Sequence, residues 1–132
     1  MAAKGTILVV DDQELNLTLL NAILAKKYNI LEARNGLKAV SIVENNRDSI
    51  DLILLDIIMP IMDGFDTIKR LKELSILGKI PIILISTDCS KENVVRGFDY
   101  GITDVIKKPF DPYLVVERVE HTIAEHKKRN KK

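Results

Sequence analysis

A doubly wound α/β sandwich, a five-stranded parallel sheet covered by helices on both faces, is the fold class this sequence predicts. Three observations predict it: short apolar runs rich in Ile, Leu and Val, one-sided helical patterns alternating with them, and polar residues placed just past the ends of the runs. Continuous apolar tracts of this length suit strands buried on both faces of a parallel sheet. The alternation then implies right-handed crossovers that place helices on both faces.

In chain order, strands are expected at about residues 6–10, 28–33, 51–56, 80–86 and 102–107, the second being the weakest run. The first intervening helix carries an apolar stripe of Leu15, Leu19, Ala22 and Ile23, the second Leu37, Val40 and Val43, the third Phe65, Ile68 and Leu71. The fourth, around 91–99, is weakly patterned by Val94, Val95 and Phe98. The fifth opens with Asp111 as N-cap and Pro112 at the first helical position, then runs a stripe of Val115, Val119 and Ile123.

The 132 residues suit one domain. A hydrophobic share of 46% beside 30% charged residues is the balance of a globular protein with a real core, which argues against disorder. Twenty Lys and Arg against nineteen Asp and Glu leave a net charge of +1, so no global field draws in nucleic acid or an anionic membrane. No apolar run approaches the roughly 20 residues of a membrane span. The lone Cys89 cannot form an intrachain disulfide, and the start Met-Ala-Ala-Lys-Gly lacks a signal peptide's apolar stretch, so the expected compartment is the cytoplasm. The basic run Lys127, Lys128, Arg129, Asn130, Lys131, Lys132 is expected to be a solvated tail or linker stub after a domain of residues 1–126.

In open parallel sheets the functional crevice lies beyond the carboxyl ends of the strands. Those ends carry Asp11 and Asp12, Asp56, Ser86, Thr87 and Asp88, and Lys107, Lys108 and Pro109. Taken singly, most have an ordinary explanation, since Asp and Ser favour helix caps and turns and Lys favours solvent. Asp56 does not, because it interrupts the run Leu52-Ile-Leu-Leu-Asp-Ile-Ile58, where an unpaired buried charge is expensive. Carboxylates about 4 Å apart repel by about 4 kcal/mol even at an effective dielectric of 20, so positive charge must sit among them. A lysine supplies part, and a hard divalent cation with oxygen ligands, Mg²⁺ or Mn²⁺, supplies the rest. His121 and His126 both lie in the last helix, away from this edge, which makes zinc improbable. Neither a Gly-x-x-x-x-Gly-Lys loop nor a Gly-x-Gly-x-x-Gly follows the first strand, which disfavours ATP and NAD. What remains is nucleophilic chemistry at a carboxylate, with Asp56 attacking phosphorus to become an aspartyl phosphate.

The segments Ile7-Leu-Val-Val-Asp-Asp12, Leu52-Ile-Leu-Leu-Asp56, Met59-Pro-Ile-Met-Asp-Gly64, Pro81-Ile-Ile-Leu-Ile-Ser86 and Lys107-Lys-Pro-Phe110 together resemble the receiver domains of two-component response regulators, of the chemotaxis-regulator type. The resemblance covers nearly the whole chain. It implies a flavodoxin-like strand order 2-1-3-4-5, with Asp56 as phosphoacceptor, Asp12 as a direct metal ligand, Asp11 as a ligand acting largely through water, and the Ile58 backbone carbonyl completing the protein's share of a Mg²⁺ shell. Ser86 corresponds to the switch hydroxyl, Thr87 is a further candidate phosphate contact, and Lys108 corresponds to the phosphate-binding lysine before a cis-proline at Pro109. The residues alone do not choose Lys108 over Lys107. Pro60 and Gly64 read as turn punctuation after Asp56, the glycine serving a sharp bend.

The implied activity is phosphoryl transfer from a sensor histidine kinase or phosphotransfer protein onto Asp56, followed by a change in a surface read by a downstream protein or a C-terminal output domain. Such a domain catalyses only its own phosphorylation and dephosphorylation. The resemblance also brings a phosphorylation-dependent dimer through the fourth helix, fifth strand and fifth helix. No direct nucleic-acid or membrane contact is expected. Two competing readings are a Mg²⁺-dependent aspartyl phosphatase, with Asp63 or Asp88 activating water, and a docking module that works without phosphorylation. The chain departs from the family pattern at Val105, where an aromatic ring usually swings inward, and at Thr87, where a smaller residue is usual.

Overall fold

The computed structural model describes residues 4–76 and 79–129. Within them, strands and helices alternate: β1 (Gly5–Val10), α1 (Glu14–Leu24), β2 (Tyr28–Ala33), α2 (Gly36–Asn45), β3 (Leu52–Asp56), α3 (Gly64–Glu73), β4 (Ile82–Ser86), α4 (Lys91–Asp99), β5 (Asp104–Lys107) and α5 (Pro112–Arg129). The strands form one parallel sheet in the order β2-β1-β3-β4-β5. The switch point, where the chain turns from building one side of the sheet to the other, lies between β1 and β3.

Side chains alternate across each strand, so the apolar runs divide between two cores. Leu8, Val10, Ile53, Leu55, Ile82 and Leu84 face α2 and α3, packing with Val40, Val43, Phe65, Ile68 and Leu71. Ile7, Val9, Leu52, Leu54, Ile83 and Ile85 face the other way, onto Leu17, Leu20 and Leu24 of α1 and Val115, Val119 and Ile123 of α5. β3 and β4 are buried along their whole length, which is why their sequences show no polar alternation.

The expected stripe on α1 is corrected by one helical face. Leu15 is 68% exposed and Leu19 43%, whereas Leu17, Leu20 and Leu24 are buried. The segment Glu-Leu-Asn-Leu-Thr-Leu-Leu-Asn-Ala-Ile-Leu holds two apolar stripes at helical spacing, and periodicity alone cannot say which meets the sheet. On α2, Leu37 is likewise exposed, because Gly36 sets the inward face. A Cβ at Gly36 would collide with the Thr67 hydroxyl and stand 2.8 Å from the Met62 carbonyl, so α2 starts in close contact with α3 and the loop before it. Leu37 lies one residue, about 100°, round the helix from that contact.

β4 and β5 begin two residues later than expected. Ile80 and Ile102 are buried outside the strands, and the Ile102 N–H closes the end of α4 by bonding to the Gly97 carbonyl at 3.2 Å. That turn uses Gly101 at φ 102°, a backbone region that glycine enters without a Cβ penalty. Asp111 caps α5 as expected, its carboxylate accepting the Tyr113 N–H at 2.8 Å. Lys127, Lys128 and Arg129 continue α5, while the rest of the expected tail, residues 130–132, lies outside the described residues.

Truncation tests the inward face of α1. Leu20→Ala should cost about 2–4 kcal/mol in urea unfolding, and Leu15→Ala should stay within about 0.5 kcal/mol of the parent.

Candidate functional site

The sheet's carboxyl edge brings separate segments together. Asp11 and Asp12 follow β1, Asp56 is the last residue of β3, Ser86 the last of β4, and Lys108 follows β5. One carboxylate oxygen each from Asp11, Asp12 and Asp56 lie within 4.8 Å of one another. The Lys108 ammonium reaches between two of them, 2.7 Å from Asp11 Oδ2 and 3.3 Å from Asp56 Oδ2. Lys107, in the strand, is exposed, so the fold selects Lys108 as the lysine of this cluster.

The neighbouring backbone fixes these groups. Asp11 is fully buried; its other carboxylate oxygen accepts the Gln13 N–H at 2.9 Å, and its own N–H bonds to the Ala33 carbonyl. Lys108 is held by its N–H on the Ser86 carbonyl at 2.8 Å, ahead of a cis Lys108–Pro109 bond. Behind Asp56 stands Gly64, where a Cβ would collide with the Asp56 carbonyl oxygen and lie 2.8 Å from Ile57 Cα. The glycine is needed for this close approach rather than for a sharp bend. In that loop it is Ile61, at φ 72°, that takes the left-handed conformation.

Three carboxylates and one ammonium leave an excess of negative charge in a largely buried pocket. Burial pushes the Asp56 carboxyl up to about 6, the Asp11 charge adds to the rise, and Lys108 opposes it. An all-oxygen donor set with uncompensated negative charge, open to solvent through partly exposed Asp12, fits a hard divalent cation of the Mg²⁺ type.

The other candidates are placed around this centre. Ser86 is fully buried, one residue beyond Ile85, the β4 partner of Asp56, and its hydroxyl accepts the Asp88 N–H at 3.1 Å. Thr87 is exposed beside it, and the exposed Ile58 side chain lies two residues past Asp56. Val105 is half-buried against the α2–α3 core. Asp63 and Asp88 are engaged locally: Asp63 caps α3 through the Asp66 N–H at 2.8 Å, and Asp88 accepts the Ser90 N–H at 3.2 Å. His121 is exposed on α5, and His126 contacts the Lys79 carbonyl. Sequence reasoning missed the Gln13 amide on Asp11 and the packing of Gly64 on the Asp56 backbone, for which the sequence carries no periodic signal.

A 2-1-3-4-5 parallel sheet that gathers an acidic trio and a lysine at its carboxyl edge defines the class of phosphoacceptor signalling domains. The family model for the response regulator receiver domain matches residues 7–120, and the chain belongs to that family. Response regulator PleD of Caulobacter vibrioides is 39% identical over 117 residues, covering 88% of this chain and 25% of PleD. The chain spans from a quarter to about half of the length of such curated relatives. A CheY-like receiver domain protein from Methanospirillum hungatei superposes with a TM-score of 0.86 at 27% identity, covering 97% of this chain and all of that one. CheY in the CheX-CheY-BeF3-Mg complex of Borrelia burgdorferi superposes at 0.84 and 30% identity, covering 89% of this chain and 88% of that one.

The raised Asp56 pKa makes a signed prediction for stability. Between pH about 4 and 6 the folded chain holds a proton that the unfolded chain has released, so stability falls as pH rises through that window. Without divalent cation, Asp56→Asn should be more stable than the parent by about 1–2 kcal/mol at pH 7.5, after discounting for solvent screening, and equal to it near about pH 3, where both states of the parent are protonated. Urea melts at the two pH values measure the difference.

Proposed function

We propose that the chain accepts a phosphoryl group on Asp56 and uses the modification to change a partner-binding surface. The observation that carries this reading is the Lys108 ammonium lying within 3.3 Å of both Asp11 and Asp56, with Asp12 completing the acidic trio. An Asp56 carboxylate oxygen attacks the phosphorus of a phosphohistidine. The new P–O bond forms as the P–N bond breaks, and the departing imidazole keeps the electron pair and takes a proton. Lys108 supplies positive charge to the transferring oxygens. Asp12 directly, Asp11 through water, Asp56 and the Ile58 carbonyl would hold Mg²⁺ or Mn²⁺, which when bound neutralises charge on the phosphoryl oxygens.

In this reading Ser86 exchanges its contact with the Asp88 amide for one with the phosphoryl group, and Thr87 lines the approach to it. Phosphorylation adds about −1.5 to −2 charge in the better-studied hydroxyl esters, and only its differential interaction with two conformations can shift their balance. The phosphodonor is a sensor histidine kinase or a phosphotransfer protein. The reader is a downstream protein or an output domain joined to the domain of residues 1–126, and residues 127–132 are a basic tail or a linker stub, its first residues lying within α5. Phosphorylation-dependent pairing through α4, β5 and α5 would use exposed Val95 and Phe98 on α4. The chain catalyses only its own modification and works in the cytoplasm; among the described residues no helix is long and apolar enough to cross a membrane.

Labelling with radioactive acetyl phosphate tests the assignment. The parent should take up label only with Mg²⁺, Asp56→Asn should take up none, and Lys108→Met should lose at least about tenfold in rate, in keeping with removal of a charge stabilising the transition state. Label on Asp56→Asn at the parental level overturns the reading.

A further inference from the structure

α4 is thinly attached to the body of the domain. Gly97 is its one buried residue, and a Cβ there would stand 2.6 Å from Ile102 Cδ1 and 2.9 Å from Leu84 Cδ1, so the helix seats by its backbone. Elements with few buried side chains are those that shift most easily. Between α3 and α4 lies a cluster of two rings and two cations. Phe65 of α3 meets Tyr100, just past α4, edge to face, with centroids 5.7 Å apart and planes at 80°. The Arg96 guanidinium stands 4.1 Å from the Phe65 ring centre and 5.6 Å from that of Tyr100, and Lys69 Nζ lies 5.6 Å from the Tyr100 ring centre. Such contacts depend on separations of a few ångströms. Arg96 also holds the Tyr100 hydroxyl below the ordinary phenol range.

The two sides of the cluster are anchored to different parts of the site. Phe65 follows Gly64, which packs on the Asp56 backbone and donates its N–H to the Ile57 carbonyl at 2.7 Å. Arg96 and Tyr100 ride on α4, whose N-cap Ser90 ends the loop that begins at Ser86. Here the cluster coexists with a Ser86 hydroxyl turned to its own loop through the Asp88 N–H. In the proposed function Ser86 turns to a phosphoryl group, which would take this acceptor from the Asp88 N–H, and a shift of the loop and α4 relative to α3 would follow from its loss. Such a shift would act on the four side chains that join the two elements. Val105 has no ring, and the aromatic contact beside this path is the pair of Phe65 on α3 and Tyr100 at the end of α4.

We propose that Phe65, Lys69, Arg96 and Tyr100 form a latch between α3 and α4 that is closed when Ser86 faces its own loop and opens when Ser86 turns to Asp56. The inference rests on the phosphoacceptor reading. Because the latch belongs to one of the two conformations, loosening it must favour the other, and by linkage must tighten binding of whatever selects that other conformation.

Beryllofluoride, a tetrahedral mimic of a phosphoryl group, is the probe, titrated with saturating Mg²⁺ into the full chain and followed by ¹⁹F NMR. Arg96→Gln and Tyr100→Leu should each bind it about three- to tenfold more tightly than the parent, with the double variant gaining less than the product of the two. Lys69→Gln, a surface change that leaves both rings in place, should move the affinity in the same direction by less. Affinities equal to or weaker than the parent's, alongside lowered urea midpoints, overturn the latch and leave the cluster a packing feature. A parent chain with no Mg²⁺- and Asp56-dependent binding overturns the phosphoacceptor reading itself, and the latch with it.

Discussion

The interaction on which the site depends is the single ammonium of Lys108 shared between Asp11 and Asp56. Asp11 is fully buried and Asp56 nearly so, and charges removed from water are tolerated only when paired and hydrogen-bonded. One lysine cannot neutralise three carboxylates. Burial, and after it the charge of Asp11, raises the proton affinity of Asp56, and the excess of negative charge makes the pocket receptive to a cation. In the proposed function, the imbalance that weighs against stability at this point in the sheet is the one that serves the chemistry.

The rest of the fold holds that imbalance in place. Strands buried on both faces supply the apolar core that carries a polar edge, and the parallel topology delivers residues from four strand ends to one crevice. Close approach does the fine positioning. Gly64 brings α3 against the backbone of Asp56, and Gly36 brings α2 against Thr67 and Met62, so the loop after Asp56 is gripped from both sides. α4 is the exception, seated by Gly97 and a cation–aromatic cluster, the arrangement on which the proposed latch rests.

The sheet was largely legible in the sequence because buried parallel strands leave unbroken apolar runs, and β2 matches its expected range of 28–33. Asp56 was legible for the same reason, as a charge in the middle of such a run. The inward face of α1 was not. Its two leucine stripes are both at helical spacing, and only the folded chain shows that Leu17, Leu20 and Leu24 are the ones that meet the sheet. Nor could the residues alone separate Lys107 from Lys108; the strand register does so, pairing Lys107 with Ser86 and leaving Lys108 past the sheet's end. The Phe65–Arg96–Tyr100 cluster joins positions about thirty residues apart with no shared pattern, so only the folded chain displays it.

On this reading the acidic trio and Lys108 form one cation-receptive pocket. A Mg²⁺ titration followed by backbone amide NMR tests it most directly. Saturable shifts centred on residues 11–13, 56–59 and 108, and abolished in Asp12→Ala, are the result expected. Shifts scattered over exposed acidic residues elsewhere, or unchanged in Asp12→Ala, would contradict it.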